Sequence, residues 1–524
     1  MDMNNILAWI AVLSSGLMLL NLLKSPSRAR GWLAVSLLIL AAMGAAALVR
    51  PGIAGYVGGG LWSALVLAPS LGTQVIARAM MRQQFSHAAR LSAVFRLLHP
   101  LDGYWEMPAF YSALAAEQRG DMAAAERYFT DCIRTSCPIG DMAHVYLFRL
   151  RGQWEEYLRW LRERGLEKTV AGDSAQSTLY LRALGETGDL SGLIDFFQRH
   201  RELILRSDPV SMELCALMVF AFSGHRRGAE LMLEGALAGY APEMKDFWRA
   251  TTELARGDEI ARERIADFFT SGNHALHVAA RRRLEKPLAD PGALSPEQAA
   301  VVQRLAEEME HEEHYRARPR ALARAYVTYA LVALNLLVFA VEMTLGGSTN
   351  EAALLRLGAG QTSLILYHGE WWRVVSAQFL HYGWLHITMN MLALLIFGRM
   401  LEERLGRWRY LPVYLVAGAA AVFFAVLPLR GQEITVVGAS GSIMGLIGAY
   451  GASSLLGWVR ERARLARAQL NTVLVIVFAQ TIFDQMTPQV SGIAHLSGAV
   501  VGFLLTLLLA PVGARATSPR EIAR

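Results

Sequence analysis

Ala494-His495-Leu496-Ser497-Gly498-Ala499-Val500-Val501-Gly502 sets a single imidazole in an apolar stretch, about 491–511, that carries no other ionisable group. His495, Gly498 and Gly502 stand at i, i+3 and i+7, so on a helix they share one face. A histidine inside a membrane helix is costly unless it has a partner, which makes it a functional candidate by default. A second stretch answers it: Gly438-Ala439-Ser440-Gly441-Ser442-Ile443-Met444-Gly445 opens an apolar run reaching about residue 457. Taken alone, that string reads first as a packing surface, because Gly441 and Gly445 form a GxxxG pair that lets another backbone approach. With the histidine stretch beside it the reading changes. If the two glycine-bearing faces meet, His495 comes within hydrogen-bond reach of Ser440, roughly 3 Å, as a general base needs. No acidic residue is obviously placed to orient the imidazole. Asp484 is a poor candidate near a loop, and a Ser440–His495 dyad held by packing is the simpler expectation.

A third polar set precedes these two. His381-Tyr382-Gly383-Trp384-Leu385-His386-Ile387-Thr388-Met389-Asn390 puts His386 and Asn390 at i and i+4, on one side of a helix. Donors there, together with the Ser440 backbone N–H, suit the oxyanion of a tetrahedral intermediate. The alternatives are a structural hydrogen-bond network between helices, or a metal held by His381 and His386. A missing third close ligand or carboxylate counts against metal.

Outward from these motifs the chain separates into three regions. Apolar stretches near 325–345, 386–401, 409–428, 438–457, 470–487 and 491–511 predict a six-helix membrane domain over 319–513, followed by a tail over 514–524. Arg316, Arg318, Arg320 and Arg324 precede the first stretch. Arg399, Arg404, Arg407 and Arg409 follow the second, Arg460, Arg462, Arg464 and Arg467 the fourth, and Arg515 and Arg520 the sixth. The positive-inside rule then places both ends of this domain in the cytoplasm. Residues 1–80 read as an anchor of two or three spans, near 6–23, 32–48 and, more weakly, 56–76, with Lys24, Arg28, Arg30, Arg78 and Arg82 at their ends. No basic segment precedes the first span, so a retained helix is favoured over a cleaved signal. Between anchor and membrane domain, 81–318 holds no apolar run long enough to cross a bilayer. Gly120, Gly152, Gly188, Gly224 and Gly257 recur there at spacings of 32, 36, 36 and 33 residues. Helix pairs of that period predict a solenoid-like domain offering a surface to a peptide or protein partner. A plain spacer is the alternative. Gly120-Asp121-Met122-Ala123-Ala124-Ala125-Glu126-Arg127-Tyr128-Phe129 resembles, loosely, part of a tetratricopeptide repeat.

Composition agrees. In 524 residues, 53% are hydrophobic and the net charge is only +6, with mean hydropathy +0.28. The arginines flank apolar runs and form no basic stripe, which argues for membrane and against nucleic acid. Cys132, Cys137 and Cys215 match neither a zinc pattern nor a disulfide framework, and read as reduced thiols.

Together the three motifs resemble the rhomboid family of intramembrane serine proteases. The resemblance covers about 319–513 and rests on His381, His386 and Asn390, on Gly438 to Gly441, and on Ala494 to Gly502. Glu370-Trp371-Trp372-Arg373 is similar to the family's Trp-Arg signature in the outer loop, and Glu402-Glu403-Arg404-Leu405-Gly406 to the end of its second helix. The resemblance implies an all-α, polytopic membrane protein with a six-helix bundle. It implies Ser440 and His495 as the catalytic dyad, His386 and Asn390 as oxyanion-stabilising groups, and His381 in the same cavity. Gly438, Gly441, Met444, Gly498 and Gly502 would support that cavity, and the loop before the sixth helix would cap it. Met444 stands where many members carry an aromatic residue. Substrates would be single-span membrane proteins cut in or beside their helices, with no metal or organic cofactor. Competing readings are a non-cleaving relative, a scaffold working through its middle region, and a transporter. The intact polar set argues against all three.

Overall fold

The computed structural model describes residues 3–22, 30–99, 104–134, 137–207, 209–316, 324–427, 433–487 and 491–509. The expected tail over 514–524, part of the cap loop (488–490), and Lys24, Arg28, Arg318, Arg320, Arg515 and Arg520 lie outside the described residues. Two compact units emerge, Met1–Glu313 and His314–Arg524. Among the described residues nine helices are long and apolar enough to cross a membrane, three in the first unit and six in the second.

In the first unit, the anchor is Met3–Leu20, Gly31–Val49 and Pro51–Met81. The weak third stretch is thus a full-length helix, 31 residues long, with a wider turn at Ser63–Leu67. Its glycines explain why it stays with the other two. A methyl group on Gly59 would lie 2.8 Å from Leu7 Cβ, and one on Gly58 2.7 Å from Met43 Sδ. Only hydrogen on those α-carbons permits the approach. Asn4 Oδ1 accepts the Gly55 N–H at 2.7 Å, and Trp62 Nε1 donates to Ser14 Oγ at 2.8 Å, tying the first helix to the third at two levels.

The periodic glycines of the middle region close one helix each. Gly120, Gly152, Gly188, Gly224 and Gly257 all have φ between 64° and 81°, the left-handed region that glycine enters without steric cost. At four of the five turns the next residue then caps the following helix. Asp121, Asp189 and Asp258 accept the N–H of Ala124, Gly192 and Ile260, and His225 Nδ1 accepts that of Gly228. One feature departs from an open stack of hairpins. The helix His274–Glu285 crosses back over them. Arg282 donates to Gly152 O at 2.8 Å and to Glu155 at 2.9 Å, and Asn273 Nδ2 bonds Gln83 Oε1. Fully buried Arg283 reaches Glu186 Oε1 at 2.9 Å and lies over the Phe247 ring.

In the second unit, the helices are Tyr326–Thr344, Trp384–Leu405, Arg407–Val426, Ser440–Glu461, Arg464–Gln485 and Gly492–Leu509. The serine helix, Ser440–Glu461, packs against all three helices from Arg407–Val426 onward, and every residue from Gly441 to Ala452 is buried. A helix so rich in Gly, Ala and Ser can be surrounded in this way because neighbouring backbones come close. One end of the bundle is tied by Glu402, whose oxygens accept from the N–H groups of Val327 (3.0 Å) and Thr328 (2.7 Å), and by Arg404, which bonds Gln469 Oε1 at 2.8 Å. One small sheet breaks the all-α expectation: β1 (Gly360–Gln361) pairs antiparallel with β2 (Thr435–Val436). It fastens the long loop after the first helix to the segment that leads into Ser440.

Candidate active site

Gly438 is where the serine segment turns into its helix. Its φ is 127°, and its N–H donates to Ala377 O at 2.9 Å. A side chain there would be strained and would also collide: a Cβ would lie 2.7 Å from His386 Cε1, 2.9 Å from His386 Nε2 and 3.6 Å from Ser440 Oγ. The space kept open by this glycine is therefore shared by the serine hydroxyl and one imidazole nitrogen. His386 Nδ1 accepts the Tyr382 N–H at 3.3 Å. For a neutral ring that places the proton on Nε2, the nitrogen facing this space. Asn390, one turn further along the same helix, is buried, and its Nδ2 has no hydrogen-bond partner among the described residues.

The glycine-bearing faces of the serine and histidine helices do meet. A methyl on Gly498 would run into the Gly441 carbonyl oxygen, and one on Gly502 would lie 2.5 Å from the Gly445 carbonyl carbon. Backbone thus rests on backbone over two turns. His495 stands one turn from Gly498, and Ser440 is the residue beside Gly441. Ser440 is half-buried at the head of its helix; a hydrogen bond between its hydroxyl and His495 is not among the side-chain bonds of the described residues. Such bonds are often long before substrate arrives.

Asp484, a poor candidate by sequence, does reach the imidazole. Asp484 Oδ2 and Oδ1 lie 2.9 and 3.0 Å from His495 Nδ1. Gln480, one turn earlier, donates from Nε2 to Asp484 Oδ1 at 2.8 Å. Asp484 is in the last turn of its helix and only 7% exposed; a Cβ on Gly492 would lie 3.3 Å from its Cβ, so a small residue opens the next helix where the carboxylate packs.

Comparison with known proteins bears on this constellation. Residues 368–512 match the family model described as Rhomboid domain. The second unit carries a rhomboid domain. The chain is 33% identical over 186 residues to the Rhomboid protease GluP of Bacillus subtilis (strain 168), covering 35% of this chain and 34% of that one. It is 33% identical over 160 residues to RHOMBOID-like protein 6, mitochondrial, of Arabidopsis thaliana, covering 30% and 50%. To the Rhomboid protease AarA of Providencia stuartii it is 27% identical over 207 residues, covering 36% and 73%. The chain thus spans about a third to a half of the length of the first two. With nine membrane-length helices among the described residues, it is an integral membrane protein.

The remaining site candidates of the rhomboid domain have the following surroundings. His381 is fully buried; its N–H donates to Glu342 Oε1 at 2.9 Å, and its ring meets that of His386 edge to face at 5.3 Å. Glu342 belongs to the first helix of the bundle, ahead of the matched residues. Met444 is buried in one apolar cluster with Ala499 of the histidine helix. Trp372 and Arg373 work as a loop staple. Arg373 Nη1 donates to Leu355 O at 2.7 Å and Ala359 O at 3.1 Å, Nε donates to Glu370 at 2.7 Å, and half-exposed Trp372 covers the guanidinium. The sequence reading missed Gln378, which accepts the Ser442 hydroxyl at 2.9 Å and steadies the serine helix. It also missed Gln480 and the role of Glu342. The signal available for Gln480 and Asp484 was two polar residues at i and i+4 directly after the apolar run Val473 to Ala479.

Proposed function

We propose that the rhomboid domain is an intramembrane serine endopeptidase, with Ser440 as nucleophile and His495 as general base. His495 would take the hydroxyl proton as Ser440 Oγ bonds to a peptide carbonyl carbon, then deliver it to the leaving amine. Water would release the acyl group by the same proton path in reverse. His386 Nε2–H, Asn390 Nδ2 and the Ser440 backbone N–H would receive the oxyanion. The observation that carries this reading is the space beside Gly438. A point there lies 2.9 Å from a ring nitrogen and 3.6 Å from the serine hydroxyl, so donor and nucleophile flank the same turn of backbone. Relatives named as proteases support the same class of activity.

The substrates would be membrane proteins cut in or beside a transmembrane helix, reached from the lipid bilayer. Arginine placement supports a site open to the outer side and a cytoplasmic middle region, in a bacterial plasma membrane. That region would recruit a substrate or partner protein through its repeat-like hairpins. The test uses the full chain in proteoliposomes with a single-span substrate whose helix contains small residues. Wild type should cleave it, and Ser440→Ala and His495→Ala should each abolish cleavage while melting as wild type does. Equal cleavage by either variant would refute the assignment.

A further inference from the structure

We infer that Asp484 is a positioning residue for His495, completing a Ser440–His495–Asp484 relay steadied by Gln480. The inference rests on the protease reading and adds a third member to it. Both carboxylate oxygens lie within 3.0 Å of His495 Nδ1. A carboxylate accepts and cannot donate, so this contact fixes the proton of neutral His495 on Nδ1 and leaves the lone pair on Nε2, the nitrogen a base needs. When Nε2 takes the serine proton, the imidazolium is compensated by a charge already in place. No atoms or electrons pass to Asp484: it keeps its charge through the cycle.

Two further features argue that the carboxylate is there for the imidazole. A carboxylate inside a membrane helix is costly, and Asp484 has no lysine or arginine partner among the described residues; its side-chain contacts are His495 and Gln480. Gln480 holds it from the same helix, 2.8 Å from Oδ1 and 3.3 Å from His495 Nδ1. The acid therefore arrives from the neighbouring helix with its own rotamer fixed, as an orienting group requires.

The test compares Asp484→Asn, Asp484→Ala and Asp484→Glu with wild type and Ser440→Ala, all full-length in proteoliposomes. It measures kcat and KM on the single-span substrate, the rate at which a fluorophosphonate probe labels Ser440, and the melting temperature. Asp484→Asn, the near-isosteric change, is expected to lower kcat and the labelling rate by at least about 100-fold, the scale of general-base catalysis. KM should stay within about threefold, since the acid never touches substrate. Asp484→Glu should recover part of kcat, which a purely structural role would not give. Asn and Ala variants with kcat within threefold of wild type would overturn the inference and leave the dyad standing. Equal cleavage by wild type and Ser440→Ala would overturn the protease reading and this inference with it.

Discussion

Gly502→Ala adds one methyl group seven residues beyond His495 and touches no polar atom of the site. That methyl would lie 2.5 Å from the Gly445 carbonyl carbon and 2.7 Å from its Cα, where carbon–carbon contact needs about 3.5 Å. The obstacle is backbone in the serine helix, so no rotamer change relieves it. The methyl also runs into the Gly445 carbonyl oxygen, so the two helices must part by at least about 1 Å, the carbon–carbon shortfall against that contact distance. Overpacking of this kind costs about 1–3 kcal/mol, and replacing a helical glycine by alanine returns about 1 kcal/mol. Net stability should therefore fall by no more than about 2 kcal/mol. Activity should fall much further, because a displacement of about 1 Å between reacting groups can cost about 100-fold. The assay pairs kcat on the single-span substrate with thermal unfolding of the same sample. Gly60→Ala, in the anchor with nothing within 4 Å of the added carbon, controls for the substitution itself and should match wild type. A Gly502→Ala protein that folds and retains full kcat would refute the claim that this backbone contact sets the distance between Ser440 and His495.

Two predictions concern the middle region. Glu186 lies between Arg182 (3.2 Å) and fully buried Arg283 (2.9 Å), so Glu186→Ala strands a buried guanidinium and should destabilise that unit by about 3–5 kcal/mol, read by urea or thermal unfolding. Burial pushes the Cys215 thiol up to about 12, above the ordinary thiol value of about 8.5. From about pH 8.5 upward the unfolded chain loses this proton while the folded chain keeps it, so stability should fall as pH rises towards 12. At pH 8 the folded protein should leave Cys215 unmodified by iodoacetamide, and urea should expose it.

What the sequence disclosed and what it hid divide along a physical line. His495, His386 and Asn390 were legible because ionisable or amide groups are rare in apolar helices and their i, i+3, i+4 spacing is fixed by helix geometry. The periodic glycines were legible because a left-handed helix end selects glycine at each turn, which is the conformation all five adopt. Contacts made across the fold were not. Asp484 lies eleven residues from His495, on the far side of a chain reversal, and no helical spacing relates them. Arg282 meets Gly152 O across 130 residues, and nothing in the periodicity of 274–285 announces that this helix crosses the hairpins. The two-residue strands are set by pairing between segments more than seventy residues apart, too short for any alternation to be seen.

The rhomboid domain treats its polar side chains in two ways, and the difference bears on function. Glu402 has both oxygens engaged, by Val327 and by Thr328, and Arg404 uses both terminal nitrogens, on Ser454 and Gln469 among others. In a membrane such closed networks are what structure alone would select, because an unsatisfied polar group has no water to turn to. Around Ser440 groups are left open: Asn390 Nδ2 and His381 Nε2 are buried without a partner among the described residues, and His386 Nε2 lies beside Gly438. Helix association here cannot lean on the hydrophobic effect, since lipid is as apolar as the helices. The glycine contacts of the serine and histidine helices supply the close packing instead, and they allow a site with open donors to stay in register. Open donors beside a serine hydroxyl, with a carboxylate and an amide within 3.3 Å of one imidazole nitrogen, are the pattern expected of the proposed protease.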